Sequence, residues 1–317
     1  MIPTVVLLAA GMSTRYGRLK QLEPVGPGGE ALLDFAVFDA LRAGFPRVLL
    51  VIREELEEIF RAHMEGRWPA DLEVVVHHQR MSDLPGVDST RGSVPSAAAL
   101  LSMRRKPWGT AHAILTARDH LPGPFVVLNA DDFYGESAFH QASRFLAAST
   151  PSRPDTVSTF GLVTYTLQDT LSEHGGVSRG LCRVDSRGWL EGVQEVLEIR
   201  KEDAGIWGRT VPGQELALEG TEPISTNFWI FTPAIFPILA EGFGGFWQAL
   251  IEFPGTQPEF LIPAEVNRAL GEGTARVKGM PTQDRFLGIT HPDDREWVVR
   301  GLGEMTEEGR YPSPLWG

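Results

Sequence analysis

Residues 9–21 of the chain read Ala-Ala-Gly-Met-Ser-Thr-Arg-Tyr-Gly-Arg-Leu-Lys-Gln and directly follow an apolar run. Gly11 lets the backbone turn close to a ligand, and the main chain from Ala10 through Met12 and Ser13 offers N–H donors. The Ser13 and Thr14 hydroxyls add further donors, while Arg15 and Lys20 supply fixed positive charge. Such a loop at the carboxyl end of a buried strand cradles a polyphosphate and neutralises charge that builds during transfer. The chain lacks the Gly-Lys-Ser/Thr ending of a Walker A loop here, and the loop is not a G-x-G-x-x-G run. The competing reading is a plain glycine turn with two solvated cations.

A second cluster follows Val126, Val127 and Leu128, where Asn129 and Ala130 lead into Asp131 and Asp132. Two carboxylates at the end of an apolar strand face the same cleft as the glycine loop. Mg²⁺ uses one or two carboxylates and completes its octahedron with phosphates and water, so Asp131 and Asp132 are candidate metal ligands. The alternative is that one of them caps the turn into the next helix. Gly109-Thr110-Ala111-His112 opens a helix, with Thr110 suited to the N-cap and Gly109 to close approach. His112 reads as a packing or capping residue. The adjacent His77 and His78 point to opposite faces of a strand and do not share a metal.

The elements that must carry these residues alternate. Residues 2–9 form an apolar run typical of a strand buried on both faces. Residues 31–43 read as a helix in which Leu33, Val37, Ala40 and Leu41 share a face and Gly44 follows as a C-terminal cap. Strands at 47–52 and 72–76 flank a charged helix at 54–64, and this order implies a parallel sheet with right-handed crossovers. Residues 77–108 read as a long irregular segment. A helix at 110–118, a strand at 125–130 and a helix at 137–148 resume the alternation. Beyond Pro151 strands are predicted at 156–163, 181–185, 189–193 and 225–231, with hairpin-like turns such as Asp185-Ser186-Arg187-Gly188. A helix opened by Thr232-Pro233, a helix at 264–270, short strands at 276–279 and 286–289 and a helix at 293–305 complete the chain. The expected architecture is α/β: an open, Rossmann-like, mostly parallel sheet with antiparallel additions in the second half.

Composition limits the function classes. With 42% hydrophobic and 22% charged residues, a chain of 317 residues buries a sizeable core. The 41 acids against 29 bases give a net charge of −12, which disfavours nucleic acid and anionic lipid as partners and requires a local site for any phosphate. The single cysteine, Cys182, excludes an internal disulfide framework and a multi-cysteine zinc site. Apolar runs are too short to span a bilayer and nothing basic precedes Val5, so a cytoplasmic protein is expected.

The segments 8–15 (Leu-Ala-Ala-Gly-Met-Ser-Thr-Arg) and Lys20 resemble the L-A-A-G-x-G-x-R signature and following lysine of the nucleotidyltransferases that make nucleotide-sugars. Residues 108–113 (Trp-Gly-Thr-Ala-His-Ala) resemble the family segment that contacts the nucleobase. Residues 128–132 (Leu-Asn-Ala-Asp-Asp) resemble its L-N-G-D strand end, where the aspartate holds Mg²⁺. Residues 193–195 (Val-Gln-Glu) resemble the sugar-contacting V-x-E-K, and 227–231 (Asn-Phe-Trp-Ile-Phe) resemble the N-x-G-x-Y-x-F strand. In order, these segments cover residues 5–290. The resemblance implies that Gln79, Gly109 and Thr110 contact the base and that Gly176, Glu195 and Asn227 contact the acceptor. Residues 174–180 (His-Gly-Gly-Val-Ser-Arg-Gly) read either as a hairpin loop or as a sugar-contacting loop. Trp207, Trp229 and Trp247 either stack on a sugar or fill the core. Two departures stand out: Val196 replaces the lysine of V-x-E-K, and Gly288 falls where the family places a second metal-binding aspartate. Asp284 is the nearest substitute acid.

The reading is a Mg²⁺-dependent nucleotidyltransferase joining a nucleoside triphosphate to a sugar 1-phosphate and releasing pyrophosphate. Arg15, Lys20 and the metal on Asp131 would provide the catalysis. The alternatives are a cytidylyl- or guanylyltransferase acting on a non-sugar phosphate or cofactor, and a non-catalytic nucleotide-sugar sensor. One domain over 1–317 is expected, with a nucleotide-binding half at 1–150, an acceptor half at 151–290 and a C-terminal helix and tail at 291–317. A homo-oligomer is compatible with this reading.

Overall fold

The structure, a computed structural model, describes residues 2–11, 14–15, 18–87, 97–148, 157–203, 205–211, 213–253 and 256–316, with backbone alone at 14, 15, 18 and 97–99. Strand β1 (Thr4–Leu8) runs at the middle of a parallel set. It pairs with β2 (Arg47–Ile52) on one side and β4 (Phe125–Asn129) on the other, and β2 pairs with β3 (Glu73–His78). Val5, Val6 and Leu7 are completely buried, as an apolar run covered on both faces requires.

Helix α1 (Leu32–Arg42) ends as predicted, with Gly44 at φ +89° and its N–H donating to Leu41 O at 3.0 Å. Its burial goes beyond the single face read from periodicity. Leu33, Ala36, Val37 and Ala40 face the sheet, while Leu32 and Phe35 pack against Phe133, Leu287, Val298, Leu302 and Tyr311. The second face is therefore covered by the last helix, α8 (Asp294–Glu307), and the tail that follows it. Asp34 is buried here without strain, because it accepts from Ala31 N at 2.8 Å and from Trp68 Nε1 at 2.6 Å.

The helices α2 (Glu57–Met64), α3 (Ala97–Met103), α4 (Thr110–Thr116) and α5 (Glu136–Ala148) complete the first half, and α3 lies inside the stretch read from sequence as irregular. The second half adds strands β5 (Ser158–Thr166), β6 (Val177–Val184), β7 (Leu190–Glu202), β8 (Gly205–Thr210) and β9 (Glu215–Leu218). Strand β10 (Pro223–Phe231), helices α6 (Ile235–Glu252) and α7 (Ile262–Gly271), and β11 (Ala275–Pro281) follow. Strand β7 runs far beyond the predicted 189–193, and the hairpin β8–β9 has no counterpart in the sequence reading. The alternation of β7 is masked by charge: Glu198, Arg200, Lys201 and Glu202 are all exposed, and Glu198 adopts φ +51° at a register shift.

Strand β10 joins the two halves. One edge pairs with β5 along its length; on the other edge Ile224 and Ser225 pair with β6, but Trp229, Ile230 and Phe231 pair antiparallel with β4. The sheet therefore forks on this edge between Ser225 and Trp229. Asn227 sits at the fork with φ +70°, a conformation asparagine tolerates better than most side-chain-bearing residues. Strand β5 continues the sheet outward by pairing parallel with β11.

Candidate active site

The fork between β4 and β6 opens into a cavity of about 460 Å³. Asn129 and Asp132 line it from the end of β4, Ser178, Arg179 and Gly180 from β6, and Glu195 from β7. Three asparagines hold its frame. Asn227 Nδ2 donates to Asn129 Oδ1 at 2.9 Å and Asn227 Oδ1 accepts from Trp229 Nε1 at 2.9 Å. On α7, Asn267 accepts from Val193 N at 2.8 Å and donates to Val193 O at 2.7 Å, so one side-chain amide pairs with the strand as a backbone would. Thr110 Oγ1 accepts from Ile262 N at 3.2 Å and thereby caps α7. The predicted N-cap role in its own helix falls instead to Gly109.

The carboxylates stand where the sequence places them, with different partners. Asp131 Oδ2 accepts from Lys20 Nζ at 2.5 Å. Asp132 Oδ2 accepts from Asn129 Nδ2 at 3.0 Å. Burial and the neighbouring Asp131 charge push the Asp132 carboxyl up to about 6. Gly288 pairs with Asp132 across a two-residue ladder, and a Cβ placed on Gly288 would lie 2.7 Å from Asp132 Oδ1. The space left by this glycine is thus filled by Asp132. Asp284 serves elsewhere, since its Oδ2 accepts from Ser137 N at 2.6 Å, at the start of α5. The capping role considered for Asp131 or Asp132 therefore belongs to Asp284.

Two adjacent carboxylates crowded together, with oxygens beyond those held by Lys20 and Asn129, are a donor set that suits a hard divalent cation. Among the described residues no group of three or more His, Cys, Asp or Glu is assembled for a metal. Phosphate oxygens and water would have to complete the shell. His77 reaches Thr116 and His78 reaches Glu57, the opposite directions expected of neighbours on a strand.

Ala10 is buried and Gly11 exposed at the end of β1, and Gln21 Nε2 donates to Gly11 O at 3.4 Å. Met12 and Ser13 lie outside the described residues, as does the Arg15 side chain. On the far side of α4, Gln79 is buried and its amide donates to Gly109 O at 2.9 Å and to His112 Nδ1 at 3.2 Å. His112 in turn donates from Nε2 to Asp83 O at 2.7 Å, and burial pulls its imidazole down to about 4. It is a neutral packing residue, as read from sequence. Trp108 Nε1 donates to Met81 O at 2.8 Å, so Trp108 and His112 together hold residues 79–83 against α4. Gly109, at φ +111°, accommodates only a hydrogen: a Cβ would lie 2.5 Å from Phe260 O.

Some expected contributors stand apart from the cavity. Gly176 packs on the Glu198 backbone, and its carbonyl contacts His291 Nε2 at 3.0 Å. Trp229 and Trp247 are core residues, and Trp207 lies half-exposed on the β7–β8 hairpin. Asn129, Ser178, Arg179, Ser225 and Asn267 were not singled out by sequence; the only signal for Arg179 was a cation in a glycine-dense stretch. The ladder sets Arg179 directly opposite Val196, the position lacking the expected lysine.

Residues 5–132 match the family described as the MobA-like NTP transferase domain. Solved structures share the whole fold. HddC from Yersinia pseudotuberculosis complexed with GMP-PN aligns with TM-score 0.54 and 16% identity over 95% of this chain and 99% of its own. UDP-glucose pyrophosphorylase from Acinetobacter baumanii gives 0.56 and 16% over 96% and 94%. The inositol-1-phosphate CTP transferase from T. maritima gives 0.56 and 14% over 96% and 97%. No curated protein sequence matches the chain. Among the described residues no helix is long and apolar enough to cross a membrane.

Proposed function

We propose that the protein transfers a nucleoside monophosphate from a nucleoside triphosphate to a sugar 1-phosphate, with Mg²⁺, and releases pyrophosphate. The observation that carries this reading is the continuity of the cavity, whose lining joins Asn129 and Asp132 at the end of β4 to Glu195 on β7 and to Ser225 and Asn227 on β10. A phosphate on the acceptor is already ionised near neutral pH. One of its oxygens attacks the α-phosphorus in line, the bond to the β-phosphate breaks, and pyrophosphate leaves without a general base.

Catalysis then rests on placement and charge. Ala10, Gly11, Met12 and Ser13 would cradle the triphosphate, and Arg15 and Lys20 would neutralise charge that develops on it. Asp131 and Asp132 would hold the Mg²⁺, which when bound draws charge from the phosphate oxygens. Both amide hydrogens of Gln79 are committed to Gly109 and His112, so Gln79 would meet a base through Oε1 alone. Gly109 and Thr110 form the adjoining edge, and Glu195 and Asn227 would meet acceptor hydroxyls. Gly176 would act only indirectly, through the backbone that precedes Ser178.

Pyrophosphate release over a panel of triphosphates and phosphorylated acceptors tests this reading. Release with hexose 1-phosphates supports it. Release only with a non-sugar phosphate, the acceptor type named for the T. maritima enzyme, moves the protein to that class. Triphosphate binding with no release on any acceptor indicates a sensor.

A further inference from the structure

Among the described residues no carboxylate bonds to Arg179, although the charges of Asp132 and Asp294 act on it from nearby. Arg179 lines the cavity together with Asp132, and burial pulls its guanidinium below the ordinary arginine value. Three bonds fix its orientation: Nε donates to Thr170 Oγ1 at 3.2 Å, Nη2 to Thr170 O at 2.6 Å, and Nη1 to Ser178 O at 2.9 Å. The guanidinium carbon also sits 5.3 Å from the Phe286 ring centroid, so one side of the group is packed. All three acceptors are neutral. Of five N–H donors, two remain, one on each terminal nitrogen, and among the described residues no acceptor or carboxylate meets them.

A positive charge with poor access to water, held rigid by neutral acceptors and bonded to no carboxylate among the described residues, is stabilised when an anion completes it. Two N–H groups on different nitrogens of one planar fork suit two oxygens of a single phosphate, which is the bidentate geometry arginine offers and lysine does not. Asp132 and Glu195 also line the cavity and would repel a phosphate, whereas Arg179, the cation among the described lining residues, would attract one.

We propose that Arg179 anchors the phosphate of the acceptor, and that the protein therefore selects phosphomonoesters. The assignment rests on the acceptor reading above. It gives Arg179 a role in acceptor binding and none in holding the triphosphate.

The test uses the full chain and compares the wild type with Arg179→Gln and Arg179→Lys. Binding of hexose 1-phosphates, with inorganic phosphate as the minimal probe, is measured by calorimetry beside a non-hydrolysable triphosphate. Arg179→Gln should weaken phosphomonoester binding by about ten- to a hundredfold, the loss expected for a charged hydrogen-bonded pair. Acceptor KM should rise similarly while the KM for triphosphate stays unchanged, and Arg179→Lys should recover part of the affinity. Should Arg179→Gln fold poorly, judged by its thermal midpoint, Arg179→Lys decides, because it keeps the charge and loses the fork. Unchanged phosphomonoester affinity in the soluble variants overturns the proposal, as does a loss that falls on the triphosphate. A protein that binds phosphomonoesters through Arg179 but does not turn over hexose 1-phosphates loses the reading and keeps the anchor. One that turns over hexose 1-phosphates equally well with glutamine at 179 keeps the reading and loses the anchor.

Discussion

Lys20 Nζ lies 2.5 Å from Asp131 Oδ2 across 111 positions of sequence, and the pair ties the glycine loop to the end of β4. The side chains are only 13% and 23% exposed, so each charge depends on the other in the absence of substrate. A triphosphate would compete for the ammonium and a divalent cation for the carboxylate. The ion pair thus holds both groups in place before substrate arrives.

Lys20→Ala and Arg15→Ala are each expected to lower turnover by about tenfold to a thousandfold, as loss of electrostatic stabilisation at a transferring phosphoryl group does. Because Lys20→Ala also leaves Asp131 unpaired, it should raise affinity for divalent cations as read by calorimetry without nucleotide. Near-wild-type turnover in both variants would remove the loop from the mechanism.

Asp131→Asn should abolish cation-dependent turnover, whereas Asp284→Asn should leave turnover near wild type and lower the thermal midpoint. Asparagine keeps an oxygen that can accept from Ser137 N, so the second effect should be small, whereas Asp284→Ala, which removes the cap on α5, should cost about 0.5–2 kcal/mol. Gly288→Asp tests the crowding at Asp132. With Cβ 2.7 Å from Asp132 Oδ1, a new acid there has to displace the old one. It should destabilise the protein and raise, not lower, the metal concentration for half-maximal rate. An improved metal response would show that the site has room for a third carboxylate.

Gln79→Ala should blur the preference among triphosphates more than it slows the best one. It also removes donors to a buried carbonyl and a buried imidazole, at a cost of about 1–3 kcal/mol. Gln79→Glu should be worse in thermal unfolding, because a carboxylate faces Gly109 O without a hydrogen to give. An unchanged preference order in Gln79→Ala would mean that the base is read elsewhere.

Asp39, buried between α1 and the tail, accepts from Tyr311 OH at 2.7 Å, and burial raises its carboxyl from 3.8 to about 8. Between those values the folded state keeps a proton that the unfolded chain releases. The contribution of this group is therefore full below about pH 4 and falls as pH rises through about 8. Asp39→Asn should flatten that slope and raise the thermal midpoint most near pH 8 and above. Equal pH profiles for the two proteins would show that Asp39 ionises freely in the fold.

The parallel half of the sheet, and the approximate place of nearly every element that carries the site, can be read from the chain alone. Buried strands declare themselves through apolar runs such as 125–128, and helix ends through residues such as Gly44, because these signals are local. Lys20, Asp131 and Asp132 are legible in the same way, by type and by their position after such strands. What each group touches is settled by the fold. That Asp284 caps α5, that Asp132 fills the space over Gly288, and that α1 is covered on both faces depend on pairings between distant segments. Arg179 was hidden for the same reason. Its significance comes from a fork in the sheet, created by β10 pairing with β4 and β6 on the same edge, and no spacing within residues 174–180 encodes that fork.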